Sequence, residues 1–134
     1  MWLDRFTVRN LELIHSPHEN AITLSHVLDK TKTPMGGRLL KRWLVLPLKD
    51  RKPIEERHQV VAALKDTQPI HDDLDARLRE IGDLERLISK VAVGKINPRE
   101  VQHLKRTLQQ IQPIHELLSP LQNKSLQTLL QNLD

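Results

Sequence analysis

The chain has 134 residues, the size of one ordinary domain, and a formal net charge of +4 at pH 7. It has no cysteine, which excludes a disulfide framework, a cysteine-bound zinc site and a thiol nucleophile, and which fits a reducing cytoplasm. Aromatic residues make up only 2% of the chain, so a surface that stacks bases on aromatic rings is not expected. No apolar run reaches the length of a transmembrane helix, and the N-terminus lacks the profile of a signal peptide.

The first half of the chain predicts four helices, over residues 4–11, 23–29, 34–46 and 53–65. The third has the clearest start, because Thr33 can cap it and Pro34 suits its first position. Met35, Leu39 and Trp43 recur on that helix at four-residue spacing. This spacing predicts that all three are buried in the core.

The second half of the chain carries four apolar stripes at helical spacing. They are Ile70, Leu74, Leu78 and Ile81; Leu84, Leu87, Ile88 and Val91; Val101, Leu104, Leu108 and Ile111; and Leu126, Leu129, Leu130 and Leu133. Before the third stripe, Asn97 and Glu100 have the spacing of a capping box. Gly82 and Gly94 stand where helices would end.

These elements predict an all-α fold, with one multi-helical domain over residues 1–134. Its helices form an orthogonal or antiparallel array, because the connections between them are short. The only strand considered is a short one at residues 2–4. Ile88 and Leu104 are expected to be buried.

Positive charge is concentrated before residue 53. Residues 1–52 carry ten Lys or Arg and five Asp or Glu, whereas the rest of the chain is nearly balanced. A basic cluster, interrupted only by Asp50, consists of Arg38, Lys41, Arg42, Lys49, Arg51 and Lys52. One interpretation is that these residues make weak contacts with nucleic-acid phosphates. The other, which the small net charge favours, is a solvated helix surface.

Patterns that would carry chemistry are incomplete. Gly94-Lys95-Ile96 lacks both the hydroxyl residue and the upstream glycine of a phosphate-binding loop. His71-Asp72-Asp73 resembles part of a metal-dependent phosphohydrolase site, but no further ligands are spaced to complete it. Gly36-Gly37 would let an anion approach a helix N-terminus, although close packing is the favoured interpretation. No catalytic, cofactor-binding or metal-binding residue is therefore assigned.

Blocks of residues in a fixed order resemble the MutS family of bacterial DNA mismatch repair proteins. The most specific block, Thr33 to Leu44, is similar to a family helix with the pattern T-P-M-G-x-R-x-L-K-R-W-L. The full set of blocks lies at residues 3–13, 24–29, 33–44, 47–48, 56–57, 82–86 and 97–100. The tail from about residue 113 is only generically similar.

The resemblance implies an excised piece of the core, or lever, domain, a helical region between the mismatch-reading and ATPase parts. The implied parent is a cytoplasmic DNA-dependent ATPase that uses ATP and Mg²⁺, binds mismatched duplex DNA and forms a homodimer. The piece would lack the mismatch-reading, clamp and ATPase domains, and so would have no enzymatic activity and no cofactor. Its last stripe, Leu126 to Leu133, would lose a partner and then fray, fold back or contact another chain.

The implied function is structural, since stiff helices can pass a rearrangement from the ATPase part to the DNA clamp. Two alternatives stay open. One is a stand-alone basic helical module that binds nucleic acid through residues 38–52. The other is a helical metal hydrolase built around His71.

Overall fold

The computed structural model describes residues 2–65 and 67–133, and the regular elements in these ranges are all helices. They are α1 (Arg5–Asn10), α2 (Leu24–Leu28), α3 (Pro34–Val45), α4 (Arg51–Lys65), α5 (Gln68–Glu80), α6 (Leu84–Ala92), α7 (Pro98–Gln109), α8 (Ile111–Leu118) and α9 (Lys124–Leu130). The predicted all-α fold is confirmed. The short strand considered at residues 2–4 is wrong, because these residues form no ladder. Leu3 N–H donates to the Val45 carbonyl (3.4 Å), and the Asp4 carbonyl accepts from Val8 N–H (3.1 Å) at the start of α1. No helix in the described ranges has the length and apolar character to span a membrane.

Helix α8 was not predicted from the sequence. It follows α7 with only Gln110 between them, and Gln110 itself has helical backbone angles (φ −82°, ψ −16°). Pro113 lies in the first turn of α8, where its missing N–H costs no helical hydrogen bond. Neither residue therefore gave the sequence signal of a new helix.

Contacts divide the chain into two compact units, Met1–Arg51 (unit 1) and Lys52–Asp134 (unit 2). The single domain over residues 1–134 stays a prediction. In unit 1, α2 packs against α3, and Leu13 and Ser25 are the buried members of its described residues. Backbone bonds join α2 to the end of α1: Leu24 N–H donates to the Glu12 carbonyl (3.2 Å) and Ser25 N–H to that of Leu13 (2.9 Å).

Unit 2 has an apolar core formed by α8 and α9. Its buried members are Ile114, Leu118, Leu126 and Leu130, each at most 7% exposed. Further side chains pack against them from the preceding helices and the connecting segments, namely Val60, Leu64, Ile70, Leu74, Leu78, Ile81 and Leu121. The C-terminal stripe thus folds back on the chain with one half buried, while Leu129 and Leu133 remain exposed.

Three burial predictions are wrong, because Trp43 is 41%, Leu39 46% and Ile88 53% exposed. Met35 and Leu104, which were also predicted to be buried, are only half-buried. Helical spacing places apolar side chains on one face, but it does not supply a surface that covers them. The amphipathic faces of α3 and α6 are therefore partly open to solvent.

The connection from α5 to α6 is pinned at Gly82. Its N–H donates to the buried Thr107 hydroxyl of α7 at 3.0 Å. A Cβ at this position would lie 2.5 Å from His103 Cε1, closer than real Cβ atoms approach. The backbone N–H of Gly82 therefore joins this connection to α7, and a side chain at this position would require the exposed His103 ring to move.

Candidate nucleic-acid interface

Three of the six predicted phosphate-contacting residues lie on α3. Thr33 caps this helix, because its Oγ1 accepts a hydrogen bond from Gly36 N–H at 2.9 Å, and Pro34 follows at the first position. Arg38, Lys41 and Arg42 come one to two turns later at i, i+3 and i+4 spacing, which places them on one side of the helix. All three are exposed.

The other three basic residues follow α3. Lys49 lies in the connection after the helix, and Arg51 and Lys52 begin α4. All three are exposed, and the first turn of α4 has no acidic residue to offset the positive end of its dipole. An anion near this turn would therefore interact favourably with both the dipole and the side chains.

Part of this positive charge is neutralised within the chain. Asp29, just after α2, accepts hydrogen bonds at Oδ1 from the Thr31 hydroxyl (2.6 Å) and the Thr31 N–H (3.1 Å). These bonds lower the pKa of Asp29, and the charge of Lys41 lowers it further. Arg38 and Arg51 also have interactions within the chain.

Gly36 and Gly37 serve close packing at the start of α3. A Cβ at Gly36 would lie 3.0 Å from Thr33 Oγ1 and 3.3 Å from Thr31 Cβ, and one at Gly37 would lie 3.4 Å from Asp29 Oδ2. The chain's own carboxylate and hydroxyls thus occupy the space beside the first turn. This arrangement favours the packing interpretation over an external anion.

The exposure of the six basic residues suits weak, sequence-independent contacts. Their side chains are solvated, so binding a phosphate would release counterions but would bury little surface. Phosphate contacts of this kind position a protein on DNA and carry no sequence information.

The metal-hydrolase alternative rests on His71 and Asp72. His71 Nδ1 lies 3.2 Å from Asp72 Oδ1 at the exposed start of α5. Among residues 2–65 and 67–133, no third His, Asp or Glu joins them or any other pair to form a metal-sized group. The metal-hydrolase alternative is therefore supported by only one exposed His–Asp pair within these ranges.

A tight polar junction links α6 to α7. Asn97 and Glu100 form the predicted capping box, since Glu100 N–H donates to Asn97 Oδ1 (3.0 Å) and Asn97 N–H to Glu100 Oε2 (3.1 Å). Lys90 Nζ also donates to Glu100 Oε1. The Lys90 hydrogen bond, followed by that of Asn97, lowers the pKa of Glu100.

The backbone conformation at the end of α1 was not predicted from the sequence. There Leu13 N–H donates to the Val8 carbonyl (3.1 Å) and Glu12 N–H to that of Arg9 (3.0 Å), which is the hydrogen-bond pattern of a Schellman motif. Glu12 occupies the left-handed position of this motif, with φ 48°, where glycine is usual. No sequence pattern marks Glu12 as the left-handed residue, because glutamate is unusual at this position of the motif.

The Glu12 carboxylate organises the turn that follows. Glu12 Oε1 accepts a hydrogen bond from the Ser16 hydroxyl (2.9 Å), and it lies 3.9 Å from His18 Nε2. Between this turn and α1 is a cleft of about 380 Å³ lined by Phe6, Arg9, Asn10, Glu12, Pro17 and His18. All of it belongs to unit 1.

Comparison with known proteins now identifies the helical region. The family model described as "MutS domain III" matches residues 6–134. The chain belongs to the MutS domain III family. The resemblance in the sequence is thereby confirmed, and the match includes the tail after residue 113, where the sequence blocks are only generically similar.

Three relatives illustrate the match, and each is named "DNA mismatch repair protein MutS". The protein from Christiangramia forsetii is 56% identical over 133 residues, covering 99% of this chain and 15% of the relative. The one from Flavobacterium psychrophilum is 57% identical over 117 residues, covering 87% and 14%. The one from Bacteroides fragilis is 53% identical over 124 residues, covering 92% and 14%. The chain therefore spans about one seventh of the length of these relatives.

The MutS domain III match covers both units of the structure. All six basic residues lie inside it, as do the junction between α6 and α7 and the cleft beside α1. Membership of the MutS domain III family does not by itself assign a role to any of these side chains.

Proposed function

We propose that the chain is a structural segment of a DNA mismatch repair protein and passes conformational changes between an ATPase domain and a DNA clamp. In this proposal it performs no chemistry of its own. The longer protein would bind ATP and Mg²⁺, recognise mismatched duplex DNA, form a homodimer and reside in the cytoplasm. The segment would contact the rest of that protein.

The core of unit 2 is the observation that carries this proposal. Four helices meet there around Ile114, Leu118, Leu126 and Leu130. Close-packed interiors have low compressibility and transmit strain, so a displacement at one end of such a unit reaches the other end. A transmission role needs this stiffness rather than a reactive site.

A stand-alone nucleic-acid-binding module is the second candidate, because all six residues of the basic cluster are exposed. The two candidates differ in the strength of DNA binding that they predict. As a transmission segment, the isolated chain should bind duplex DNA weakly, with a dissociation constant near 10⁻⁴–10⁻⁶ M at physiological salt. With three or four phosphate contacts, log K should fall against log salt with a slope of about −3 to −4.

Fluorescence anisotropy with matched and mismatched duplexes across a salt series separates these candidates. The transmission proposal expects equal, weak binding to both duplexes, because an unstacking wedge is needed to exploit a mismatch. A variant with Arg38→Gln and Arg42→Gln should reduce the salt slope by about 2 if both side chains contact phosphates. Submicromolar binding at high salt, or clear preference for the mismatch, would instead establish the binding module.

Nucleotide binding gives a second test of the absence of chemistry. The sequence Gly94-Lys95-Ile96 does not complete a phosphate-binding loop, so the isolated chain should not bind ATP. Calorimetry in the presence of Mg²⁺ measures this directly. Micromolar affinity for ATP would contradict the proposal.

A further inference from the structure

The cleft beside α1 has a chemistry that the transmission role does not use. Its lining combines an arginine, a histidine, an asparagine amide, a carboxylate and two apolar side chains in a volume of about 380 Å³. We propose that this cleft binds a peptide segment and that Arg9 pairs with a carboxylate side chain of that segment.

Arg9 is the central group of the proposal. It lies in the last turn of α1, its side chain is exposed, and it has no ion pair or side-chain hydrogen bond to another residue in 2–65 or 67–133. The guanidinium is a planar fork of N–H donors that matches a carboxylate in two parallel hydrogen bonds. Asn10, next to it on the cleft wall, can both donate to and accept from a peptide backbone.

Glu12 decides between a peptide and a nucleic acid as the occupant. Its carboxylate lines the same cleft as Arg9 and is one-third exposed. This negative charge disfavours a run of phosphates along the cleft. A peptide can instead place a single carboxylate on Arg9 and donate its N–H groups to Glu12. The mixed charge of the cleft therefore complements an acidic peptide better than a polyanion.

The walls of the cleft can also take an apolar neighbour of the acidic residue. Phe6, on α1, is 74% exposed, and both Phe6 and Pro17, in the turn after Glu12, line the cleft. Glu12 holds the Pro17 side in place through Ser16, at the cost of a left-handed backbone. Residues kept in such conformations cluster at ligand-binding sites, which is consistent with a cleft that is built rather than incidental.

The test is an NMR titration of the full ¹⁵N-labelled chain with N-acetyl-leucyl-aspartyl amide. Its neutral control is N-acetyl-leucyl-asparaginyl amide, which differs only in the carboxylate. The acidic probe should shift the Arg9 Nε–H resonance saturably and bind about two- to fivefold more tightly than the neutral one, as expected for an exposed pair.

Variants locate the effect. Arg9→Gln should remove the preference for the acidic probe, whereas Arg5→Gln, an exposed residue of α1 outside the cleft lining, should retain it. Arg9→Lys should leave an intermediate preference, because it keeps the charge and loses the fork. Helical circular dichroism checks that each variant is folded.

Four results would overturn the proposal. They are no saturable shift, equal affinity for the two peptides, the same loss in Arg5→Gln as in Arg9→Gln, and tighter binding of inorganic phosphate or oligothymidylate at the same resonances. The last result would assign the cleft to nucleic acid. None of these results depends on the transmission role, which is tested separately by DNA and ATP binding.

Discussion

Helices α1 and α6 both end at a residue with a left-handed backbone, which is Glu12 in α1 and Gly94 in α6. Both helices finish in a Schellman hydrogen-bond pattern; in α6, Lys95 N–H donates to the Lys90 carbonyl (2.9 Å) and Gly94 N–H to that of Val91 (3.0 Å). Gly94 has φ 65°, and a Cβ at this position would have no atom within 4 Å, so only the backbone freedom of glycine is used. Glu12 adopts the same conformation despite its side chain, which binds Ser16. The left-handed position thus carries a carboxylate that bonds Ser16 at the end of α1, whereas it carries no side chain at the end of α6.

The contrast extends to the two units. Unit 2 buries Leu87 together with the apolar cluster of α8 and α9, whereas Leu13 is the buried hydrophobic residue among those described in unit 1. Short-range polar bonds cap helices in both units, such as those of Thr33 to Gly36 in unit 1 and of Asn97 to Glu100 in unit 2. The stability of unit 2 should therefore depend more on apolar packing than that of unit 1 does.

The largest expected effect is in the core of unit 2. Leu130→Ala removes a side chain that is 2% exposed and should lower the free energy of unfolding by about 2–5 kcal/mol. The matched control is Leu129→Ala on the same helix, at a position that is 55% exposed, where the change should stay within about 0.5 kcal/mol. Urea denaturation measures both. Equal losses would mean that the described core does not stabilise the unit.

The next largest effect is at Gly94. Gly94→Ala introduces a Cβ that meets nothing, so its whole cost is the left-handed backbone, about 1–2 kcal/mol. Gly94→Asn should cost less, because asparagine tolerates this conformation. Urea denaturation, with hydrogen exchange of the α6 amides as a local probe, measures the loss. No loss in Gly94→Ala would contradict the conformational argument.

Substitutions at Glu12 should change stability less, because they combine the loss of the Ser16 hydrogen bond with a change in backbone strain. Glu12→Ala keeps the strain and loses the Ser16 bond, which should cost about 0.5–1.5 kcal/mol. Glu12→Gly loses the same bond but relieves the backbone, so it should be more stable than Glu12→Ala by about 1–2 kcal/mol. Hydrogen exchange at the buried Ser25, in the adjoining α2, reports on this region. If the two variants are equally stable, the strain at Glu12 is not significant.

The smallest expected effect is the loss of stability at the starts of α1 and α7 when the pH is lowered. Hydrogen bonds from the Thr7 N–H and hydroxyl lower the pKa of Asp4 below its ordinary 3.8, and those from Lys90 and Asn97 lower the pKa of Glu100 below 4.5. A carboxylate with a lowered pKa stabilises the folded state above its ordinary pKa, and this contribution is lost as the pH falls through the folded value.

Asp4→Asn and Glu100→Gln isolate these contributions. Each variant should show a smaller acid-induced change in the exchange of its own helix's first amides than the unaltered chain, and Asp4→Asn should keep the cap because asparagine caps well. If both variants remained as sensitive to acid as the unaltered chain, groups other than Asp4 and Glu100 would be responsible for the acid-induced change in exchange.

The sequence predicted helix positions better than burial. Thr33 with Pro34 and Asn97 with Glu100 marked the starts of α3 and α7, because capping is a local interaction that depends on a few adjacent residues. Trp43 and Ile88 were wrongly predicted to be buried, since burial depends on which elements lie opposite a helix face. Helical periodicity carries no information about those elements.

The candidate sites also differ in whether local sequence or the tertiary fold determines them. The six basic residues were identified from their charge, and their exposure agrees with either interpretation of the cluster. The cleft of Arg9 and Glu12 escaped prediction, because it forms only when a glutamate takes a left-handed backbone and turns the chain back on α1. The close approach of His103 to Gly82 was missed for a similar reason, since it joins residues of two different helical segments.

The most direct test of the transmission role uses a full-length MutS protein that carries this segment. Ile114→Ala weakens the core of unit 2, Ile114→Val does so more mildly, and Ile88→Ala is the control at a position that is 53% exposed. The measurement is ATP hydrolysis with and without mismatched DNA, with DNA binding followed in parallel. We expect the Ile114 variants to lose stimulation by DNA in proportion to their loss of stability, while basal hydrolysis and DNA binding persist and Ile88→Ala behaves like the unaltered protein. Full stimulation in a folded Ile114→Ala protein would contradict the transmission role.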